Sequence, residues 1–419
     1  MKFVVSLLVV LCCCGAQAQL GGFNLTESNG FLLDASPTGA KTDAQNAVDQ
    51  IKRLGSKHVE INVRATMITG QGTELIPVTP PSERSNELRR IVRLVQYIHS
   101  QGMTAGLRPI FFVVGPNGEF PYTEKLADGK TKIWWHGNIQ PSDPNRWFES
   151  FRTYMDAYIS VANFAKADEF TIGAELYSMT VGVEDQWKEY PYGFPGRWLT
   201  LLRYVKTKLP RARIMYDINF TDDSSSESGF EKSGGELERW RYRLVDLANP
   251  TRPEEKQIWD DLIAFWKELD APGIDMYRSL ASPDQRIPRD YPSLVKLLKQ
   301  RTDSYASQLD TALTEIAMVT GVEKKVFFKE IGYRSVEKGF IDPFIYASEH
   351  GQVNSAHQAA AYEAFLKSFW EAKWPWFGGV SFWDVAVDPS KKGPMDLGFS
   401  PLGKKQTEDL ILKDFNATP

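Results

Sequence analysis

The sequence predicts a (β/α)8 barrel, the TIM-barrel fold, with long insertions between some strands and the helices that follow them. Eight short apolar segments rich in β-branched and aromatic residues alternate with eight longer amphipathic segments. The short segments are too apolar to have one face in water, which is typical of parallel strands covered by helices. Eight alternations of strand and helix fit a closed barrel.

The predicted elements follow one another along the whole chain. The predicted strands are Gly22–Thr26, Lys57–Arg64, Thr104–Val113, Asp168–Glu175, Arg213–Asn219, Gly273–Tyr277, Val326–Tyr333 and Gly378–Asp384. The predicted helices are Asp43–Leu54, Glu83–Gln101, Asn145–Lys166, Arg197–Leu209, Glu254–Leu269, Tyr291–Thr320, Ser355–Lys373 and Lys404–Phe415. An open, doubly wound sheet is the alternative, but no glycine-rich nucleotide fingerprint follows any predicted strand.

The composition limits the kinds of ligand or partner that the protein can bind. The chain has 419 residues, with 49 basic and 53 acidic side chains, so its formal charge is −4. This mild acidity gives no basic surface for nucleic acid or an anionic membrane. The 12 Trp, 16 Tyr and 24 Phe residues are a rich supply of aromatic faces, which favours a ligand that stacks on them.

The first 18 residues have the pattern of a cleaved secretory signal. Lys2 precedes the apolar run Phe3–Cys14, and small residues follow up to Ala18. We therefore expect a secreted or periplasmic protein whose mature chain, residues 19–419, is one domain without membrane insertion. A buried N-terminal strand is the alternative. All three cysteines lie inside the signal, so the mature chain would form no disulfide.

Two strand-to-helix connections are long and polar, residues 115–144 and 221–253. In a barrel such connections lie on the face that carries active sites, so we expect them to form walls of a cleft. Flexible surface decoration is the alternative for the Ser-rich part of the second. The segment Glu236–Arg243 mixes charges of both signs and predicts a solvated helix.

Two glutamates occupy the positions where barrel enzymes place catalytic groups. Glu175 ends the fourth predicted strand and Glu330 lies in the seventh, each between apolar residues. A carboxylate there is costly to bury unless it is paired or has a function. Strands four and seven face each other across a barrel mouth. Two opposed carboxylates divide acid and nucleophile roles in glycosidic cleavage, because repulsion raises one pKa.

The chain at this point resembles a known group of enzymes. The fourth-strand Glu, the seventh-strand Glu and an eighth-strand Trp together resemble clan A glycoside hydrolases, and more narrowly the family 113 β-mannanase-like enzymes. The resemblance is carried in order by Ile172-Gly173-Ala174-Glu175-Leu176, Gly273-Ile274-Asp275-Met276-Tyr277, Lys329-Glu330-Ile331-Gly332-Tyr333-Arg334-Ser335, Gly378-Gly379-Val380-Ser381-Phe382-Trp383 and Phe399-Ser400-Pro401-Leu402-Gly403-Lys404.

The resemblance implies a role for three residues. Glu175 would be the general acid/base, Glu330 the nucleophile of a retaining mechanism, and Trp383 the floor of the subsite that holds the cleaved sugar. Core packing is the alternative for Trp383. One departure is Ala174, because many clan A enzymes carry an Asn there that contacts the sugar 2-hydroxyl.

Two further substrate-site residues are proposed from their positions. Tyr277 ends the sixth predicted strand, from which its hydroxyl would donate to Glu330 and favour the ionised form. Arg64 ends the second, from which its charge would act on Glu330 in the same way. A surface Arg that pairs with a loop acid is the alternative for Arg64.

No cofactor or metal is expected. The histidines His58, His99, His136, His350 and His357 show no ligand spacing, and no nucleophile elbow of an α/β-hydrolase is present.

The sequence therefore predicts a monomeric, retaining, endo-acting glycoside hydrolase that cleaves β-1,4 bonds, with mannan or glucomannan as substrate because of the resemblance. Two alternatives stay open: a lysozyme-like hydrolase of peptidoglycan with or without deacetylated amino sugars, and a glycan-binding barrel without catalysis.

Overall fold

A computed structural model describes residues 19–27, 41–126, 129–183, 186–222, 228–344 and 351–417. The predicted signal, residues 1–18, and the Ser-rich residues 223–227 of the second insertion lie outside this part of the chain, as does His350.

Eight parallel strands close into a barrel, which confirms the predicted fold. The barrel strands are β1 (Leu20–Thr26), β2 (His58–Ile68), β4 (Thr104–Val114), β7 (Glu169–Ala174), β8 (Arg213–Thr221), β9 (Ala271–Tyr277), β10 (Val326–Glu330) and β11 (Phe377–Ala386). They pair in chain order, and β1 pairs with both β2 and β11, so the sheet closes on itself. Three short strands stand outside the barrel wall: β3 (Ile76–Pro77), β5 (Tyr122–Lys125) and β6 (Thr131–Trp134).

Helices surround the barrel and occupy its loops. The long helices are α1 (Asp43–Arg53), α2 (Arg84–Ser100), α3 (Pro144–Ala165), α5 (Pro195–Lys208), α8 (Pro253–Glu268), α9 (Tyr291–Thr320), α10 (Ser355–Phe365) and α11 (Lys405–Asn416). The short ones are α4 (Tyr177–Thr180), α6 (Gly229–Ser233) and α7 (Gly235–Arg241). Pro at the first turn and an Asp N-cap start both α3 and α9, as expected because Pro there loses no hydrogen bond. No helix of the described chain combines the length and the apolar character that crossing a membrane requires.

Several strand ends differ from the prediction, β10 among them, which ends at Glu330 and not at Tyr333, and two of the differences bear on the site. Strand β2 continues to Ile68, so Arg64 lies within it rather than at its end. Strand β7 ends at Ala174, and Glu175 follows with a φ of 57°, in the left-handed region that non-glycine residues seldom adopt. This backbone conformation costs energy in a non-glycine residue and persists where the surroundings hold it in place, as they do at many active sites.

The lower part of the barrel interior is ionic rather than apolar. The ammonium group of Lys329 contacts the carboxylates of Glu60 and Glu169, the latter at 2.8 Å, and His58 Nε2 lies 3.0 Å from Glu60. All four side chains are buried. Among the described residues, His58, Glu60 and Glu169 are the set with the spacing of metal ligands, but Lys329 already supplies their positive charge. This cluster therefore fixes the barrel without needing an ion.

The prediction of a solvated helix at Glu236–Arg243 is wrong. Glu236 is fully buried, and Arg239 and Trp240 are each 1% exposed. The Trp240 ring packs on Phe265 of α8 with centroids 5.9 Å apart. The second insertion folds back against the barrel, so Glu236, Arg239 and Arg243 lie inside the protein instead of in water.

Candidate active site

The carboxylate of Glu175 is held at both oxygens. Asn219, near the end of β8, donates its side-chain amide to Oε1 over 2.7 Å. His136 Nε2 lies 2.9 Å from Oε2. The backbone N–H of Glu175 also donates to Asp217 O of the same neighbouring strand, at 2.8 Å. Strand β8 and the first insertion therefore orient the side chain together, and only 11% of it is exposed.

The carboxylate of Glu330 is also held at both oxygens. Tyr277, which ends β9, donates its hydroxyl to Oε2 over 2.8 Å, so the hydrogen bond expected from the sequence is present. The guanidinium of Arg108 donates to Oε1 through Nη1. The Glu330 side chain is 13% exposed, which leaves it accessible at the end of its strand.

Arg108 is the central cation of this end of the barrel. Its Nε donates to Asp217 and its Nη2 to Asp275, each over 2.6 Å, while Asn62 Oδ1 accepts from Nη1 at 3.2 Å. Arg108, Asp217 and Asp275 are fully or almost fully buried. One guanidinium thus serves three carboxyl groups, Glu330 included, and the planar fork of donors fixes their relative positions.

The two glutamates have opposite pKa shifts because their surroundings differ. Burial raises the pKa of Glu175, but the hydrogen bond and charge of His136 and the Asn219 hydrogen bond outweigh burial, so its pKa lies below the usual value. Burial also raises the pKa of Glu330. The charge of Arg108 lowers the pKa of Glu330 but offsets only part of the effect of burial. The charge of Glu175 raises this pKa as well, so the pKa of Glu330 stays above its usual value. The Glu175 carboxylate is thus close enough for its charge to act on Glu330.

Trp383 lies near the end of β11 and is 6% exposed. It stands outside the contiguous apolar core of the described residues, unlike the neighbouring Phe382. Its backbone N–H donates to Ile331 O, just after Glu330, at 2.9 Å. The aromatic face therefore belongs to the end of the barrel that carries the two glutamates, and its role as a sugar platform stays a prediction.

Arg64 lies beside Phe112 and Asp384. Its guanidinium lies over the Phe112 ring, 5.4 Å from the centroid, and its charge acts on Asp384. Burial raises the pKa of Asp384 to about 6, against the lowering by the Thr26 hydroxyl and Arg64. The cation that pairs with Glu330 is Arg108. Contact of Arg64 with substrate stays a prediction.

Sequence reasoning missed Arg108, His136 and Asn219. Arg108 carries the same signal as the two glutamates, a charge inside an apolar strand, and that criterion also selects Asp217. His136 gives no such signal, because it comes from the insertion that carries β5 and β6 and reaches Glu175 only through the fold of that insertion. Asn219 supplies a side-chain amide next to Glu175 that the Ala174 position lacks.

The fold and the family match make the protein a glycoside hydrolase of the (β/α)8 type. A family model of Glycoside Hydrolase Family 113 matches residues 35–259 and 254–404, and the chain belongs to this family. No protein of curated function matches the sequence.

Solved structures share the fold at low sequence identity. The GH113 β-mannanase from Alicyclobacillus acidocaldarius, in complex with ManMIm, has a TM-score of 0.62 and 18% identity, over 96% of this chain and 98% of that chain. A second GH113 β-1,4-mannanase, also a complex, gives 0.58 and 17%, over 96% and 99%. A GH5_18 enzyme from Bifidobacterium longum, bound to Manβ1-4GlcNAc, gives 0.51 and 13%, over 96% and 79%.

Proposed function

We propose that the protein is a retaining endo-β-1,4-mannanase in which Glu175 is the general acid/base and Glu330 the nucleophile. The observation that carries the proposal is the pair of carboxylates after β7 and at the end of β10, each held at both oxygens and close enough for the charge of Glu175 to act on Glu330. Membership of the family and the likeness to β-1,4-mannanases support mannan as the substrate.

The first half of the reaction forms a covalent intermediate. Glu330 attacks the anomeric carbon, the glycosidic C–O bond breaks, and Glu175 gives its proton to the departing oxygen. In the second half Glu175 takes a proton from water, the hydroxide attacks the anomeric carbon, and the bond to Glu330 breaks. Both carboxyl groups return to their starting states, and two inversions give net retention.

The hydrogen bonds of Glu330 support its role as nucleophile, whereas the pKa shifts of the two glutamates in the resting protein, lowered for Glu175 and raised for Glu330, run opposite to the assigned roles. The productive form has the proton on Glu175 and the charge on Glu330. Protonation of Glu175 removes the charge that raises the pKa of Glu330, so each carboxyl group helps to set the state of the other. Arg108 and Tyr277 hold the Glu330 oxygens by hydrogen bonds that favour the carboxylate. Trp383 would stack on the apolar face of the sugar.

The test compares substrates directly. The mature protein is incubated with β-1,4-mannan, glucomannan and peptidoglycan, with and without deacetylated amino sugars, and the release of reducing ends is measured. Internal cleavage of mannan, with the β anomer seen first by NMR, is the expected result. Release from peptidoglycan alone would replace mannan as the substrate, and an α anomer formed first would overturn retention.

Variants of the two glutamates separate an enzyme from a glycan-binding barrel. Glu175→Gln and Glu330→Gln are each expected to lower kcat/KM at least a thousandfold while mannan binding persists. Glu323→Gln, at an exposed site before β10, is the matched control and keeps full activity. Azide is expected to rescue Glu175→Ala and to give a β-glycosyl azide. Unchanged turnover in either Gln variant would remove its assigned role.

Export is proposed as well, as a secreted or periplasmic protein. The charged, apolar and small-residue pattern of residues 1–18 supports it. Mass spectrometry of the protein from its native host is expected to find a mature N-terminus at Gln19. A chain that retains Met1 or Lys2 would contradict the proposal.

A further inference from the structure

A third glutamate lies behind Glu175 and has no part in the reaction described so far. Glu236 is the second residue of α7, in the second insertion, and is fully buried. The helix starts directly against β8, since a Cβ on the preceding Gly235, whose φ is +62°, would stand 2.2 Å from Asn219 Oδ1. Glycine at this position allows the close approach that brings the Glu236 carboxyl group into the barrel wall.

Glu236 contacts both segments that position Glu175. The backbone N–H of Asn219 donates to its Oε2 over 3.2 Å, and the Asn219 side chain is the one that holds Glu175 Oε1. Its Oε1 lies 2.8 Å from the Tyr216 hydroxyl, which accepts the N–H of Leu176, the residue after Glu175, at 3.1 Å. The Trp240 indole N–H also donates to Oε1, at 3.1 Å.

The hydroxyl groups beside Glu236 form a chain of three contacts. Glu236 Oε1 lies 2.8 Å from Tyr216 OH, Tyr216 OH lies 2.7 Å from Thr180 Oγ1, and Thr180 Oγ1 lies 2.8 Å from the carbonyl oxygen of Leu176. Three hydrogen bonds need three hydrogens, but the two hydroxyl groups supply only two. Because the carbonyl can only accept, Thr180 donates to it, Tyr216 donates to Thr180, and Glu236 must donate to Tyr216.

We propose that Glu236 is a positioning residue that carries its proton in the resting protein and, as a neutral acid, anchors the residues on both sides of the Glu175 carboxylate. Its O–H donates to Tyr216 and its second oxygen accepts from the Asn219 backbone. This inference rests on the proposed function for the role of Glu175, whereas the proton count stands without it.

The electrostatic surroundings agree with a neutral carboxyl group. Burial is the largest cause that raises the pKa of Glu236 to about 8, and the Glu175 charge adds to it, against the lowering by the N–H groups of Trp240 and Asn219 that donate to the carboxyl group. The other titratable groups that face it are Tyr216 and Tyr177.

The cations near Glu236 are engaged with other acids. Arg239 pairs with Glu231, and Arg241 pairs with Glu238, Asp246 and Glu315 on the elements packed around α7. No ion pair of the described residues joins a cation to Glu236, so burial is not offset by a positive charge.

A neutral Glu236 matters for the acid/base. A negative charge here would repel the Glu175 carboxylate, and the chain through Tyr216 and Thr180 would lose one hydrogen bond. The Tyr216 hydroxyl would then donate to Glu236 instead of to Thr180, which changes the contacts beside the Leu176 backbone. A carboxyl group with its proton provides a donor towards Tyr216 and an acceptor towards the Asn219 backbone, and glutamine provides this pair, although its amide nitrogen cannot accept the Trp240 N–H.

The protonation is tested by infrared spectroscopy of the 13C-glutamate-labelled protein. The parent is expected to show the band of a protonated Glu carboxyl group at pH 7, to lose it as the pH rises through about 8, and to lack it in Glu236→Gln. The matched control is Glu238→Gln, on the same helix but paired with Arg241, which keeps the band. A spectrum without this band in the parent at pH 6 to 7 would overturn the proposal.

The positioning role is tested by kinetics on a mannoside with an activated aryl leaving group, whose departure does not need the acid, so that the step in which Glu175 acts as a base limits kcat. Glu236→Gln is expected to keep kcat within threefold, and Glu236→Ala to lower it more than tenfold with a parallel fall in KM, because the covalent intermediate accumulates. Above about pH 8 the parent should lose activity, while Glu236→Gln should not. Superimposable pH profiles of these two proteins would refute the role. If the parent hydrolyses no glycan, the proposed function fails. The infrared result still shows whether Glu236 carries a proton.

Discussion

His136 Nε2 lies 2.9 Å from Oε2 of Glu175, although the histidine comes from an insertion and the glutamate from the end of a barrel strand. Asn219 occupies the other oxygen, and an amide N–H can only donate. His136 is therefore the neighbour of Glu175 that can either donate or accept, depending on its tautomer. The insertion thus provides one of the two side chains that hold the Glu175 carboxylate.

Replacing His136 is expected to raise the pKa of Glu175. Without the hydrogen bond and charge of His136, burial dominates and favours the protonated form. His136→Gln and His136→Ala should therefore move the basic limb of the kcat/KM profile to higher pH, because the acid stays protonated longer. The profile is measured on mannan oligosaccharides.

His99→Gln is the control for this prediction, since His99 pairs with Asp168 at the far end of α2 and β7. Its profile should match that of the parent. A basic limb that stays in place in both His136 variants would show that His136 does not set the pKa of Glu175.

Removal of Arg108 is expected to cost stability as well as activity. Arg108→Met would leave Asp217, Asp275 and Glu330 buried near one another without their cation. Breaking a buried pair from one side costs about 3–5 kcal/mol. Urea unfolding at pH 7 should show a loss of this size, and a smaller loss at pH 5, where these carboxyl groups take up protons more readily.

Arg203→Met tests whether the removal of any arginine would reduce the free energy of unfolding by the same amount. Arg203 is 58% exposed and pairs with Glu268 on the surface, where ion pairs contribute about 0–1 kcal/mol. Equal losses of unfolding free energy in Arg108→Met and Arg203→Met would mean that the buried cluster contributes no more to stability than a surface ion pair.

The Tyr277 hydroxyl is expected to stabilise the ionised form of Glu330. Tyr277→Phe removes its hydrogen bond and raises the pKa of Glu330 further. A hydrogen bond to a charged group contributes about 1.5–3 kcal/mol, so kcat/KM should fall by about 10- to 100-fold and the acidic limb should move to higher pH.

A surface tyrosine provides the control. Tyr97→Phe removes a comparable hydroxyl contact, to Asp49 at 2.6 Å, away from the barrel mouth, and should leave the profile unchanged. A Tyr277→Phe acidic limb that coincides with that of the parent would contradict the assigned hydrogen-bond effect.

The raised pKa of Glu236 also predicts that the folding stability depends on pH. Its pKa is about 8 in the folded protein and near 4.5 in the unfolded chain, so the unfolded chain loses this proton first as the pH rises. The contribution of Glu236 is therefore complete below about pH 4.5 and is lost progressively up to pH 8, by about 4 kcal/mol. The Glu236→Gln protein has no group that titrates at this position, so its stability does not fall for this reason. The difference between its free energy of unfolding and that of the parent should therefore shift in favour of the variant as the pH rises from 5 to 8.

The measurement is urea unfolding of both proteins at several pH values. Glu238→Gln, a partly exposed neighbour on the same helix, should follow the parent at every pH. A constant difference between Glu236→Gln and the parent would contradict the raised pKa.

The sequence by itself determined the fold and the two carboxylates. Strand and helix periods are local properties, so the eight alternations could be read directly, and Glu175 and Glu330 stand out because a charge inside an apolar strand is costly. The same criterion, applied to every strand, also points to Arg108 and Asp217.

Only the tertiary structure decided what surrounds the pair. His136 and Glu236 lie in insertions whose residues have no fixed relation to the strands, and their contacts with Glu175 and Asn219 depend on how each loop packs on the barrel. The mixed charges of Glu236–Arg243 suggest a solvated helix when read alone. Their partners come from β8, α6, α9 and the end of α4, and pairing across such sequence distances leaves no local pattern.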